Sequence, residues 1–289
     1  MTAQFGWSYM RKSLFPGTTG IFCLFFIPYV ITVIFNGAGN TLINKKFDME
    51  MLLPIITSSQ IGEKYELETI KAQTIIARSN FYRILREEKN LRKTLQQIKE
   101  EMKEKSLYCV ILQDKYEEAV SETEGKVIIW NQELKLVPYH EISSGQTRNG
   151  KEVFHNEEDS YLRSVHSAVD KESKDFLNSV YISKNILPGE LEIKSRDSAG
   201  YITELLADGK VLEGEAFRKG MGLTSANFTI QEIGNKIRFL CKGKGHGMGF
   251  SQYGGNEMAK DSKTDEEILK YYFPEMDIVD VKCVEEEDF

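Results

Sequence analysis

Glycine falls at every second position from Gly243 to Gly249, and no other feature of this chain limits its folding so tightly. The run reads Lys242-Gly243-Lys244-Gly245-His246-Gly247-Met248-Gly249-Phe250-Ser251-Gln252-Tyr253-Gly254-Gly255. In an extended backbone one face of such a run is bare, while Lys244, His246, Met248 and Phe250 project from the other. Alternating glycines weaken a strand, so they imply that something bulky lies close against the main chain. Ser251, Gln252 and Tyr253 follow with hydrogen-bonding side chains. The run reads as the floor of a binding cleft, with a Gly-rich turn between elements as the alternative.

A net charge of −7 over 289 residues argues against an electrostatic nucleic-acid binder, and 41% hydrophobic residues suffice for a sizeable core. Of four cysteines, Cys23 lies in an apolar N-terminal stretch; Cys109, Cys241 and Cys283 cannot all pair and lack metal-ligand spacing. That stretch, Ile21 to Phe35, sits inside a segment with no charged residue between Lys12 and Lys45. Its length suits a short membrane span. Arg11 and Lys12 precede it and the first acidic residue is Asp48, so the N-terminus is expected in the cytoplasm. The expected division is a cytoplasmic N-terminus over 1–19, a transmembrane anchor over 20–36, a linker over 37–49 and an extracytoplasmic domain over 50–289. A cleaved signal peptide ending at Gly37-Ala38-Gly39 competes with the uncleaved anchor. Either arrangement puts the bulk of the protein outside the cytoplasm.

Spacings of three and four residues from Leu67 to Leu85 predict a helix over 66–88. A second stripe (Leu91, Leu95, Ile98, Met102) predicts a solvated helix to about Lys105. Strands are expected at 107–112, 127–130 and 134–139, the last two as a hairpin around Asn131-Gln132-Glu133. Further strands are expected at 193–196, 201–206, 210–212, 228–230, 236–241 and 278–281. Thr264 and Glu267 form a capping box ahead of a short helix stopped by Pro274. The fold class is therefore α+β, a long early helix with mostly antiparallel strands, preceded by one N-terminal transmembrane helix. No Walker loop, dinucleotide fingerprint, H-E-x-x-H or nucleophile elbow is present.

Three separated stretches resemble the stage II sporulation protein D family of peptidoglycan lytic transglycosylases. Glu68-Thr69-Ile70-Lys71-Ala72-Gln73-Thr74-Ile75-Ile76-Ala77-Arg78-Ser79 is similar to the family's E-A-L-K-A-Q-A-V-A-A-R-T helix. Tyr139-His140-Glu141-Ile142-Ser143-Ser144-Gly145-Gln146-Thr147 resembles its Y-H-x-x-S-x-G-x-T loop. Gly243 to Gly255 resembles its G-x-G-H-G-V-G-M-S-Q-Y-G-A signature, and Arg218 to Leu223 its F-R-x-x-L-G-L segment. Order and spacing agree across roughly 50–284.

The resemblance implies a carboxylic acid that protonates the glycosidic oxygen and then, ionised, takes the proton of the sugar's C6 hydroxyl, closing a 1,6-anhydro ring. The family's acid lies eleven residues before the helix lysine, and counting back from Lys71 reaches Gln60. An amide cannot supply a usable proton. Three readings stay open: glycan bound without being cut, a neighbouring carboxylate (Glu63, Glu66 or Glu68) in the acid's place, or an inactivating substitution in this particular chain. Glu63 is the freest substitute.

By the same resemblance Arg78, His140, Ser143, Ser144, His246, Ser251, Gln252 and Tyr253 are candidate substrate-binding residues. Arg78 is divided evenly between a substrate carboxylate and a neighbouring side chain. For His246 a backbone hydrogen bond weighs at least as much as a sugar. Some family members hold zinc near the position of Gln113; Ile111 and Leu112 stand there with Cys109, so no metal and no cofactor is expected. The implied partners are peptidoglycan glycan strands and other sporulation or cell-wall hydrolase proteins, at a single-pass membrane location, with no nucleic acid. Two functions follow: a glycan-cleaving enzyme, or a non-catalytic scaffold that grips glycan and positions other hydrolases.

Overall fold

The computed structural model describes residues 49–88 and 114–285. The expected anchor, the second stripe, the strand at 107–112 and the zinc comparison near Gln113 lie outside the described residues. Among those described, no helix is long and apolar enough to cross a membrane.

Helix α1 (Leu53–Gln60) holds Pro54 in its first turn, where no backbone N–H is needed. Helix α2 (Leu67–Glu88) is the long helix the spacing predicts. Its inner face sends Ala72, Ile75 and Ile76 into the main core. Helix α3 (Asp114–Glu122) packs Tyr116 and Ala119 against Ile61 and Ile70. Strand β1 (Lys126–Ile129) and two-residue β2 (Tyr139–His140) follow, then a short helix α4 (Gly150–Phe154).

The second half is built from strands. β3 (Leu177–Ser183), β7 (Phe228–Ile233) and β8 (Lys236–Lys242) form an antiparallel sheet in the order β3-β8-β7. β4 (Leu191–Arg196), β5 (Ile202–Ala207) and β6 (Lys210–Glu213) form another, in sequential order. Ile202, Leu205, Phe217, Phe228, Ile237, Phe239 and Leu223 join them in a second core, into which helix α5 (Gly214–Gly220) places Phe217. β9 (Phe250–Ser251) runs into helix α6 (Gln252–Lys260), and helix α7 (Asp265–Tyr272) carries the expected capping box. β10 (Asp277–Asp280) closes the order before α8 (Lys282–Glu285). Helices and mostly antiparallel strands make this an α+β fold.

The expected hairpin after β1 is shorter than its pattern suggested. Asn131 and Gln132 take positive φ in a two-residue turn closed by Trp130 and Glu133, and the chain then leaves the sheet. Asn80 on α2 explains why. Its amide donates to the Val137 carbonyl (2.8 Å) and accepts from the Val137 N–H (2.9 Å), satisfying backbone that a strand partner would otherwise serve. β1 pairs instead with β10, antiparallel, from Lys126 opposite Asp280 to Ile129 opposite Asp277.

Candidate functional site

The glycine run does not leave a bare ledge. Its four alternating glycines all take positive φ, and the space beside them is filled by the protein itself. A Cβ at Gly247 would lie 2.3 Å from the Tyr201 ring, and one at Gly249 would lie 2.2 Å from the Pro138 carbonyl oxygen. Something bulky does press on this backbone, as the pattern implied, but it is an internal wall rather than a ligand. The wall is locked from behind by Arg148, which the sequence reading missed. Its N–H donates to the Gly247 carbonyl (2.8 Å) and its guanidinium to Asp197 (2.5 Å), Glu215 (3.3 Å) and the His246 carbonyl (3.4 Å), while lying over Tyr201.

Most of the candidate residues serve this wall. His140 donates from Nδ1 to the Met248 carbonyl (2.9 Å), which fixes its tautomer. Burial and the adjacent His246 ring push it down to about 3, against that hydrogen bond. His246 accepts from the Met248 N–H at Nδ1 (3.1 Å), and burial takes it down to about 4. Both rings are therefore neutral at ordinary pH. Asp170, also missed, is a buried hub: Oδ2 accepts from the Ser143 N–H (2.7 Å) and from Ser251 Oγ (2.8 Å). Ser251 in turn caps α6 by accepting from Gly254 N–H (3.3 Å). Ser144 Oγ donates to Ala199 (3.0 Å) and its N–H to the Tyr201 hydroxyl (3.1 Å). These serines brace loops.

Arg78 is likewise internal. Fully buried, it donates Nε and Nη2 to the two Glu50 carboxylate oxygens (2.8 Å each), and its other N–H groups to Thr123 Oγ1, Val120 O and Lys126 O. All five donors of the guanidinium are used. Of the two readings left open for Arg78, the neighbouring side chain is the one realised.

Gln60 and Gln252 do meet. Gln73 on α2 donates Nε2 to Gln60 Oε1 (2.8 Å); Gln252 donates Nε2 to Gln73 Oε1 and to the Gln60 carbonyl (3.0 Å each). Gln73 and Gln252 are buried, whereas Gln60 is half-buried at the end of α1. Among the described residues no hydrogen bond engages Gln60 Nε2. A signal for Gln73 existed: it is a polar residue on the apolar stripe of α2, between Ile70 and Ala77.

Around this trio lie exposed or half-exposed groups. The Tyr253 N–H donates to the Glu141 carbonyl (3.0 Å), and the Glu141 carboxylate is ion-paired with Lys244. Burial, with the charges of Glu141, Asp170, Asp175 and Tyr253, pushes Tyr65 up to about 12. These groups therefore share one electrostatic neighbourhood. Glu141 and Tyr65 escaped the sequence reading because the resembling motifs leave them unspecified, and Lys244 is read there only as projecting from the glycine run. The three alternative acids are elsewhere engaged or turned to solvent. Glu68 accepts from Lys71 Nζ and from the Asp265 N–H (2.8 Å each), while Glu63 and Glu66 are exposed, the backbone N–H of Glu66 donating to Asn256 (2.7 Å). Among the described residues no His, Cys, Asp or Glu cluster could hold a metal ion. The site offers amide donors and acceptors, a tyrosine and a balanced charge pair, groups that can hydrogen-bond hydroxyls.

The family model described as SpoIID, stage II sporulation protein, matches residues 37–130. Stage II sporulation protein D of Bacillus subtilis is 34% identical over 170 residues, 55% of this chain and 49% of that protein, so the match spans about half of the relative's length. Its counterpart in Bacillus amyloliquefaciens is 29% identical over 250 residues, covering 77% of this chain and 72% of the relative. An uncharacterised protein of Brachyspira hyodysenteriae is 26% identical over 287 residues, 91% of this chain and 73% of its own length.

Proposed function

The chain belongs to the stage II sporulation protein D family, and from that premise we propose that it grips peptidoglycan glycan strands during sporulation without cutting them. The observation that carries this reading is the amide of Gln60, with Oε1 held by Gln73 and Nε2 open, where the resemblance implies a carboxylic acid. An amide N–H can hydrogen-bond a glycosidic or hydroxyl oxygen in the bound state. It cannot release a proton to a departing sugar, so no positive charge develops at the anomeric carbon. Among the described residues Glu68 is tied to Lys71 and Asp265 and Glu141 to Lys244, while Glu63 and Glu66 are exposed, which supports an amide rather than an acid at the reacting position. Tyr253 supplies a further polar and aromatic contact for sugar, while buried Gln252 holds Gln60 in place through the Gln60 carbonyl.

In this reading residues 20–36 anchor the chain in the membrane, the domain works on the outer side, and bound strands are presented to separate wall hydrolases. The test is incubation of the protein, and of Gln60→Glu, with purified glycan strands, followed by mass spectrometry for 1,6-anhydro-muramic ends. The parent chain retains strands in pull-down and yields no such ends, whereas Gln60→Glu yields them. Anhydro ends from the parent chain would overturn the reading, as would a parent chain that retains no strand.

A further inference from the structure

The sheet β3-β8-β7 has one face in the second core and one in solvent, and the registers say which residues occupy each. Ile237, Phe239 and Cys241 of β8 point inward beside Phe228, Ile230, Val180 and Ile182. The opposite face carries Lys236, Arg238, Leu240 and Lys242 down the central strand. Flanking them are Leu177, Ser179, Tyr181 and Ser183 on β3, and Thr229, Gln231 and Ile233 on β7. This face holds three cations and no carboxylate, in a chain with 44 acidic and 37 basic residues. Glu232 stands opposite Ile237, on the other face, and is taken by Lys184 (2.6 Å).

The cations are unspent. Among the described residues neither Lys236, Arg238 nor Lys242 forms an ion pair. Arg238 is held across the sheet by neutral partners, donating Nε to Ser179 Oγ (3.0 Å) and Nη1 to Gln231 Oε1 (3.2 Å). That fixes the guanidinium without neutralising it and leaves Nη2 for a ligand. The spacing is linear: at about 3.4 Å per residue, the charges fall about 7 Å and about 14 Å apart along β8. β8 also leads toward the sugar cleft proposed beside Gln60 and Tyr253, since Lys242 is followed by Gly243 and by Lys244, the partner of Glu141, whose carbonyl accepts from the Tyr253 N–H.

We propose that the solvent face of β8 is a track for the part of a carboxylate-bearing polysaccharide strand that extends beyond the cleft, with Lys236, Arg238 and Lys242 binding carboxylates along its length. The inference rests on the glycan-binding reading and adds to it an anionic strand longer than the cleft. Single-file cations flanked by Ser179, Thr229 and Gln231 fit an extended polar polymer. A lipid surface would be met by a broader apolar patch than Leu177, Tyr181 and Ile233 provide.

The test compares the full chain with a Lys236→Glu/Arg238→Glu/Lys242→Glu variant. The probes are long peptide-free glycan strands with free carboxylates, the same strands after amidation of those carboxylates, and short oligosaccharides that fill only the cleft. A Lys236→Gln/Lys242→Gln variant, which keeps the Arg238 cross-strand bonds, guards against misfolding. Expected is a loss of at least tenfold in affinity for long carboxylate strands in the charge-reversed variant and a smaller loss in the Gln variant. Short oligosaccharides bind both variants as they bind the parent, and amidated strands bind the parent as weakly as carboxylate strands bind the reversed variant. Equal binding of long strands by parent and reversed variant would overturn the track while leaving the cleft reading standing. Loss of binding to anionic vesicles with strand binding unchanged would assign the face to a membrane and also overturn it. A parent that binds no glycan of any length overturns both readings.

Discussion

Helix α2 carries two buried polar contacts that look alike in sequence and differ in chemistry. At Arg78 a full charge is met by the Glu50 carboxylate and three further acceptors, with no donor left over. At Gln73 a neutral amide joins two others, and the trio ends in Gln60 with one amide nitrogen open. A saturated contact has nothing to offer a ligand and is structural. An unsaturated one at a half-buried edge can recognise something. The difference separates scaffold from site more sharply than motif membership does, because Arg78 and Gln73 belong to the same motif.

The largest effect should come from the saturated contact. Arg78→Ala removes a fully buried guanidinium that serves the Glu50 carboxylate, Thr123 and the Val120 and Lys126 carbonyls, and should cost about 3 to 5 kcal/mol in chemical denaturation. Gly249→Ala probes the wall beside the site, where a side chain meets the Pro138 carbonyl at a positive φ; a loss of about 3 kcal/mol is expected. Gln252→Ala removes two neutral hydrogen bonds and should cost only about 1 to 2 kcal/mol, while weakening glycan retention in pull-down. Gln60→Glu should change stability by less than about 0.5 kcal/mol, since the Gln73 donor already faces an oxygen there. If Gln60→Glu proved as costly as Arg78→Ala, the contrast between the two contacts would be lost.

The wall also has a pH signature. His140 and His246 sit at about 3 and about 4 when folded, below the ordinary 6.5, so the unfolded chain binds protons that the folded one refuses. Their contribution is complete above pH 6.5 and is lost as pH falls through that value toward 4 and 3. Asp170, raised by burial, acts in the opposite sense, its contribution being present below the ordinary carboxylate value and lost as pH rises through the folded one. Stability measured from pH 7 to 4 should therefore fall with a slope that His140→Gln reduces. An unchanged slope would show that His140 is not held neutral.

Local signals carried much of the fold. The α2 stripe, the Thr264–Glu267 capping box and the strands of the second core follow from period and turn chemistry alone. The pairing of β1 with β10 did not, because it is set by Asn80 seizing the Val137 backbone, a contact across 57 positions. The site was legible only in part. Gln60 and Gln252 were named and do touch, but the glycine pattern reported close approach without saying what approaches. Tyr201 and Pro138 fill that space. His140, Ser143, Ser144, Ser251 and His246 hydrogen-bond within the wall, a use that one sequence cannot distinguish from need by a ligand.

The most direct measurement is a crystal structure of the protein with a short peptide-free glycan oligosaccharide. The account predicts an intact sugar chain with an oxygen within hydrogen-bond distance of Gln60 Nε2 and a ring against Tyr253. An oligosaccharide seated away from Gln60, Gln252 and Tyr253, or found cut at the Gln60 amide, would contradict it.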